Sequence, residues 1–457
     1  MAPVPTDYTQ MTRRQIVFSF SIVTSLFFLW GFSYGLLDVL NAHFLEIFDL
    51  SRTETTLLQF AYFVAYLVVA PPMGIFMRRY GYKIGIHVGL GLFSIGAILF
   101  WPAAVYRQYG MFIAFTFLIA SGLATLEVAA NSYMTLLGPP QYAAFRLTLA
   151  QAFNGIATVI GPLIASKTFF NESDDSGSLG SVQYVYLAMS CFGVLLNVLL
   201  IFARLPEVRQ VIALDVEETT SLRGFLKQKH TIYGFVAEFA YTGAQVAVAS
   251  HVIFYLTHQP GVNTISDATA SNMFSGCQAV FTVGRFIGVV YLRYIDPCFS
   301  LFINGVGLII FSILTSVIPG KGGIACLFLI FFFESTCYPT IFSVATSDLG
   351  IYAKLGSGLI SAGVSGGAVW PAMQSAVSDR YSAHISFLIP MIGFIPLTIY
   401  GLVMWISRSK RYNDGRITVK VYQPPLEIDN IGEDADFNHT EGFDTKAETE
   451  FAEQKSR

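Results

Sequence analysis

Glu127 and Asn131 lie four residues apart within one long apolar run, a spacing that sets both side chains on one face of a helix. Beyond Gly138-Pro139-Pro140 a second apolar run carries Gln151 and Asn154, again on one face. One carboxyl and three amides inside hydrocarbon-like sequence point to two kinds of chemistry. A carboxyl in a low-dielectric setting can exchange a proton near neutral pH, the property a proton-coupling group needs. Amides present donors and acceptors together, which suits a ligand with several hydroxyls. Gln245 and Tyr338 fall at comparable depths in later runs, and Trp30, Phe153 and Tyr241 offer aromatic faces able to cover the C–H face of a sugar. A single amide in a span also serves as a link between helices. Five polar groups at one level (Asn131, Gln151, Asn154, Gln245, Tyr338) favour a lined polar cavity instead.

Other ionisable residues inside apolar runs are few: Asp38, Glu238, His251, Arg285 and Glu334, with Arg146 at the edge of its run. Each costs free energy in a bilayer and usually faces an internal cavity. Asp38 sits in the outer part of a long first run and can also be read as an interfacial residue. Nothing resembling a metal cluster, a phosphate loop or a nucleophile triad accompanies these residues. The sequence therefore reads as a non-enzyme without a cofactor, the proton being its coupling ion. The glycine-rich stretch Gly363–Gly367 contains no lysine and lies in an apolar run, which suits close helix packing, not phosphate binding.

The elements that must position these groups follow from composition. The chain has 457 residues, 54% of them hydrophobic and 12% charged. A soluble domain carries about 25% charged residues, so this chain cannot cover itself with polar surface. Apolar runs of roughly 20 residues recur along it, the length that crosses a ~30 Å hydrocarbon core. Twelve spans are predicted, at roughly 15–41, 54–77, 84–104, 109–137, 143–169, 183–203, 231–257, 268–292, 298–318, 323–347, 355–378 and 385–407. The fold class is an all-α polytopic membrane protein. The first run, preceded by Arg13-Arg14, is too long for a signal-peptide core and reads as a signal anchor.

Basic residues are heavily one-sided, with Arg78, Arg79, Lys83, Arg204, Arg209, Arg223, Lys227, Lys354 and Arg408 among those on the face that carries both termini. That face is predicted to be cytoplasmic, placing the protein in the plasma membrane with both termini inside. The loop after the fifth span is then external, and its sequon at Asn171 is a possible glycosylation site; the second sequon, at Asn438, falls in a cytoplasmic tail. The five cysteines lie within or at the edge of apolar runs, which predicts no disulfide framework.

A charged loop divides the chain into two blocks of six spans. The predicted organisation is a cytoplasmic N-terminal segment 1–14, an N-terminal bundle 15–203, a linker 204–230, a C-terminal bundle 231–407 and an acidic disordered tail 408–457. An internal repeat supports the division. Gly74…Arg79-Tyr80 matches Gly288…Arg293-Tyr294, Glu127 matches Glu334, and Gly161-Pro162 matches Trp370-Pro371, all at a nearly constant offset. Two pseudo-symmetric six-helix halves of this kind are the major facilitator fold.

The turn GIFMRRYGYK resembles the major facilitator signature between the second and third spans. Gly74, Arg79, Gly81 and Lys83 match the motif, and Arg78 stands where an Asp is usual. More specific strings are LWGFSYGLLDVLN in the first span, LEVAAN at 126–131, LAQAFN at 149–154, YTGAQ at 241–245, VGRFIG at 283–288 and CYPTIF at 337–342. Together they resemble the fucose–galactose–glucose:proton symporter family across about 20–405 of this chain. The resemblance implies a proton-coupled monosaccharide importer of L-fucose or a related hexose, working by alternating access and usually as a monomer. It implies coupling and sugar-binding roles for Asp38 and Glu127, a sugar cavity lined by Gln151, Asn154, Gln245 and Tyr338, and a gating role for Gly74–Lys83. The chain departs from the family pattern at Gly35, Ala249 and Cys337, and carries Glu238 and Glu334 as extra acids. The partners expected are a small-molecule sugar and the lipid bilayer, with no nucleic acid. The rival readings are a sodium-coupled or facilitative hexose transporter on the same fold, and a sugar sensor without net flux.

Overall fold

The computed structural model describes residues 11–48, 52–169, 179–203, 205, 222–259, 265–412 and 417–419. In chain order its helices are α1 (Arg13–Ile47), α2 (Arg52–Tyr80), α3 (Tyr82–Ile98), α4 (Phe100–Tyr106), α5 (Tyr109–Leu136), α6 (Ala143–Phe169), α7 (Gly180–Phe202), α8 (Leu222–Leu226), α9 (Lys229–Thr257), α10 (Asp267–Tyr291), α11 (Pro297–Val317), α12 (Gly320–Glu334), α13 (Cys337–Ala345), α14 (Ala353–Ala362), α15 (Trp370–Arg380) and α16 (Leu388–Tyr412). The chain is an all-α integral membrane protein. Large apolar side chains such as Phe202, Val290 and Val317 face outward, as bilayer contact requires.

Eleven helical stretches among the described residues are long and apolar enough to cross a membrane, one fewer than the sequence predicts. The missing one is the run 355–378. It folds as α14, a 3₁₀ turn at Gly363–Ala368, and α15. Pro371 withholds an N–H from this stretch. Gly363 and Gly366 press the turn onto α9: a Cβ on Gly363 would lie 2.8 Å from the Glu238 side chain, and one on Gly366 would collide with the Phe239 carbonyl. These glycines are for close packing, as their sequence suggests.

The predicted span 323–347 is also broken, between α12 and α13. Pro339 has no N–H to donate to the Ser335 carbonyl, which removes one helical hydrogen bond at the break. The four carbonyls at the break all find other donors. Phe332 O accepts from the Ser335 amide and hydroxyl, and Phe333 O from the Cys337 thiol at 3.2 Å. Glu334 O accepts from the Tyr241 hydroxyl at 2.7 Å, and Ser335 O from Arg285 Nε at 3.2 Å. A helix end inside a membrane is tolerated only with such replacements.

Helix α1 packs along α6, α3 against α5 and α7, and α2 against α5; later in the chain α16 packs against α9 and α11, and α12 against α10 and α11. The two groups meet where α2 touches α14 and the 3₁₀ turn, and where α6 touches α10 and α13. At the first seam the backbones nearly touch, since a Cβ on Gly358 would sit 2.7 Å from the Ala70 carbonyl. At the second seam Gly155 faces Thr282 and Gly288 faces Thr148 and Thr336. Both seams lie toward the end of the bundle where α1, α6 and α14 begin.

Arg146 closes the α5–α6 corner: its guanidinium donates to the carbonyls of Met134, Thr135, Gly138 and Pro139 at 2.6–3.2 Å, capping the end of α5. All cysteines are free, Cys191 exposed and the other four buried. The tail predicted to begin at 408 starts in regular structure. Helix α16 reaches Tyr412, and residues 417–419 pair with Tyr294–Asp296 through a single antiparallel bridge. Most of the 204–230 linker, the sequon at Asn171 and the chain beyond 419 lie outside the described residues.

Candidate substrate and coupling site

Glu127 is buried on α5 and is held by a residue from the far end of the chain. The Tyr338 hydroxyl donates to Glu127 Oε1, and Asn131 Nδ2 donates to the same hydroxyl at 2.8 Å. Tyr338 can reach because it opens α13 directly after the break. Glu127 and Asn131 share the face of α5 that their spacing implies. The Tyr66 and Ser361 hydroxyls and the Glu238 carboxyl lie near enough to act electrostatically on Glu127. Among the described residues, Glu127 Oε2 and Asn131 Oδ1 have no hydrogen-bond partner.

An aromatic run flanks this pair. Trp30 Nε1 donates to the Tyr62 hydroxyl at 3.3 Å, and Tyr62 lies 3.5 Å from the Tyr66 hydroxyl. The Trp30 and Tyr338 rings are tilted, with centroids 6.2 Å apart. The sequence reading missed Tyr62 and Tyr66. Their four-residue spacing in α2 was the available signal, for it places two phenols on one face.

The amides of α6 behave differently from one another. Neither side-chain polar atom of Gln151 has a partner among the described residues, although the residue is fully buried. Asn154 is fully engaged: Nδ2 donates to the Phe27 carbonyl on α1 at 3.0 Å, and Oδ1 accepts from Arg285 Nη1 at 3.0 Å. Buried polar atoms left without a partner are rare in folded proteins and mark places where a ligand or water satisfies them. Gln151, Asn131 and Glu127 present such atoms on adjacent helices, with Trp30 and Tyr338 as the apolar wall. That set suits a small polyhydroxy ligand.

Other sequence-predicted residues fall outside this group. Gln245 is half-buried on α9, Phe153 is 40% exposed, and Tyr241 is buried with its hydroxyl spent on Glu334 O. Asp38 lies on α1, but its side chain is outside the described residues. Of the additional acids, Glu238 Oε1 accepts from Thr242 at 2.5 Å, while among the described residues its Oε2 and both oxygens of Glu334 have no partner. His251 bridges helices, its Nε2 lying 3.1 Å from the Ser375 hydroxyl of α15.

The four residues of the predicted gating motif divide their labour. Gly74 lets α2 meet α14, packing on Lys354 and Gly358. Gly81 adopts a φ of 90° at the start of α3, a conformation that favours glycine. Lys83 Nζ donates to the carbonyls of Ile201 and Ala203 at 3.3 and 2.9 Å, neutralising the negative end of α7. Arg79 lies over the neighbouring Tyr80 ring. Across the seam Lys354 Nζ donates to Met77 O at 3.1 Å and sits over the Tyr82 ring.

A membrane-spanning helical bundle with broken helices and a buried polar site between two groups of helices has the architecture found in transporters. The Major Facilitator Superfamily model matches residues 23–371, and the chain belongs to that superfamily. It is a transporter-superfamily protein, not an enzyme. A glucose/galactose transporter of Brucella abortus is 35% identical over 396 residues, covering 86% of this chain and 95% of the relative. An L-fucose-proton symporter of Escherichia coli is 31% identical over 419 residues, covering 87% and 94%. A crystal structure of the E. coli fucose:proton symporter matches with TM-score 0.76 at 30% identity, covering 85% of this chain and 99% of that one. The human organic anion transporter MFSD10 shares the fold, with TM-score 0.64 at 14% identity.

Proposed function

We propose that the protein is a proton-coupled monosaccharide importer working by alternating access. The observation that carries the reading is the Asn131–Tyr338–Glu127 chain, which joins the first and second groups of helices through one ionisable carboxyl beside unpartnered buried amides. The relatives named for fucose, glucose and galactose support a hexose or 6-deoxyhexose as substrate. Two six-helix halves, 15–203 and 231–407, rock about the site in the plasma membrane, with both termini cytoplasmic and the monomer as the working unit.

In this reading the seams α2–α14 and α6–α10 close the cytoplasmic side, and the site is reached from outside. Sugar hydroxyls engage Gln151, Asn131 and Glu127 while Trp30 covers the ring. A proton arriving at Glu127 removes a charge that the occluded state cannot bury cheaply. The loaded site then closes outside and opens inside. Coupling follows because ligand and proton bind the two facing states differently. Asp38 on α1 takes part in sugar binding or proton delivery.

A second reading keeps the fold and sugar but changes the ion. Buried carboxyls such as Glu127 and Glu238 can offer oxygen to a hard cation as well as take up a proton. Uptake of radiolabelled L-fucose, D-galactose and D-glucose into proteoliposomes decides between them. Accumulation driven by an inward proton gradient and abolished by an uncoupler supports proton symport. Accumulation that requires sodium and ignores the uncoupler replaces it. Equilibration without accumulation leaves a facilitative carrier.

A further inference from the structure

Arg285 is buried in α10, yet no carboxylate lies within ion-pair distance of it among the described residues. Its acceptors are neutral oxygens from two other places in the fold. Nη1 donates to Gln151 O at 2.6 Å and to Asn154 Oδ1 at 3.0 Å, both on α6. Nε donates to Ser335 O, the carbonyl that Pro339 leaves without its helical donor. The Phe281 ring, 4.4 Å from the guanidinium carbon, covers one face.

The contact to α6 depends on a glycine. Gln151 O faces the next turn of α6, where Gly155 stands; a Cβ there would lie 3.0 Å from Thr282 Oγ1 and 3.5 Å from Arg285 Nη1. The absent side chain lets the guanidinium reach a carbonyl already inside a helix. Asn154 carries the link onward to the Phe27 carbonyl of α1. One cation thus ties α10 and the α12–α13 break to α6 and α1, beside the unpartnered Gln151 amide.

A buried guanidinium held only by carbonyls is poorly compensated. A better partner stands one residue from its own acceptor. Glu334 precedes Ser335, is 1% exposed, and among the described residues has no hydrogen bond to either carboxyl oxygen. An acid without a donor and a cation without an acid thus stand on two packed helices of the same group, α12 and α10.

We propose that Arg285 is a two-position latch of the α6–α10 seam. With the seam closed it holds Gln151 and Asn154 in place for the sugar; when α6 and α10 part it releases them and pairs with Glu334. Substrate release and seam opening are thereby one event. The role of these amides in sugar binding rests on the function proposed above, whereas the exchange between partners does not.

The test measures the seam directly. Spin labels at Gln141 and Tyr294, in a protein with Cys191→Ser, report the distance between the start of α6 and the end of α10 without any substrate. Glu334→Gln removes the alternative partner alone and is expected to shift the distribution toward the closed state; Arg285→Gln removes both partnerships, so adding Glu334→Gln to it is expected to cause no further shift. Arg285→Lys, which keeps the charge but not the two-pronged geometry, is expected to retain part of the response to Glu334→Gln and covers the case where the glutamine variant fails to fold. In transport, each single variant lowers Vmax about tenfold, and the double variant loses no more than the worse single one because both belong to one switch. No shift for Glu334→Gln, an equal shift for Glu334→Gln in the Arg285→Gln background, or additive losses overturn the latch. If wild type transports none of the sugars but the Arg285-dependent shift appears, the latch stands and the substrate assignment falls.

Discussion

The Tyr338 hydroxyl donates to Glu127, joining the first turn of α13 to the middle of α5. The bond exists because the helix before Tyr338 is broken at Ser335–Thr336, which turns the phenol toward the other group of helices. It gives the proposed coupling carboxyl a partner from the other group of helices.

Glu127→Gln keeps an oxygen to accept from Tyr338 and removes the ionisation. Wild-type uptake is expected to rise as the external pH falls, since Glu127 is loaded from outside. The variant is expected to lose that dependence and its gradient-driven accumulation, while sugar exchange under equal concentrations persists. Uptake and counterflow in proteoliposomes at several pH values separate the two; an unchanged pH profile removes Glu127 from coupling.

Tyr338→Phe retains the ring beside Trp30 but strips Glu127 of a donor and Asn131 of an acceptor. Hydrogen bonds to charged groups contribute about 1.5–3 kcal/mol, so sugar affinity should weaken about tenfold or more. Equilibrium binding of labelled sugar measures this, and affinity within twofold of wild type counts against the assignment.

Gly358→Ala tests the α2–α14 seam. The added methyl would sit 2.7 Å from Ala70 O and 3.2 Å from the Gly74 Cα, both backbone atoms that cannot turn aside. The closed seam is disfavoured, and uptake is expected to fall about tenfold by a population shift away from the state that accepts external sugar. Increased reactivity of a cysteine placed at Thr148 or Met77 would accompany it.

Arg146→Ala probes stability, away from transport chemistry. Four carbonyls at the end of α5 and in the Gly138-Pro139-Pro140 turn lose their donor. The expected loss is about 3 kcal/mol, seen as a lower unfolding midpoint in detergent, with Arg146→Lys recovering part of it. An unchanged midpoint would show that water replaces the guanidinium at this corner.

The membrane-spanning helical fold was legible from the sequence, because apolar runs of bilayer length leave a backbone no alternative to the helix. So was the pairing of Glu127 with Asn131, since helical spacing alone puts them on one face. Local chemistry also foretold the close packing of Gly363–Gly367. Only the tertiary structure decided which polar groups meet across the bundle: Tyr338 with Glu127, and Arg285 with Gln151 and Asn154, partners separated by well over a hundred residues. It also decided where helices stop. Pro339 and Pro371 signalled a possible break, but membrane helices often absorb a proline, as α2 does at Pro71 and Pro72. Whether one breaks depends on what else can satisfy the freed carbonyls, and at Ser335 that donor comes from Arg285, a residue no local rule could have brought there.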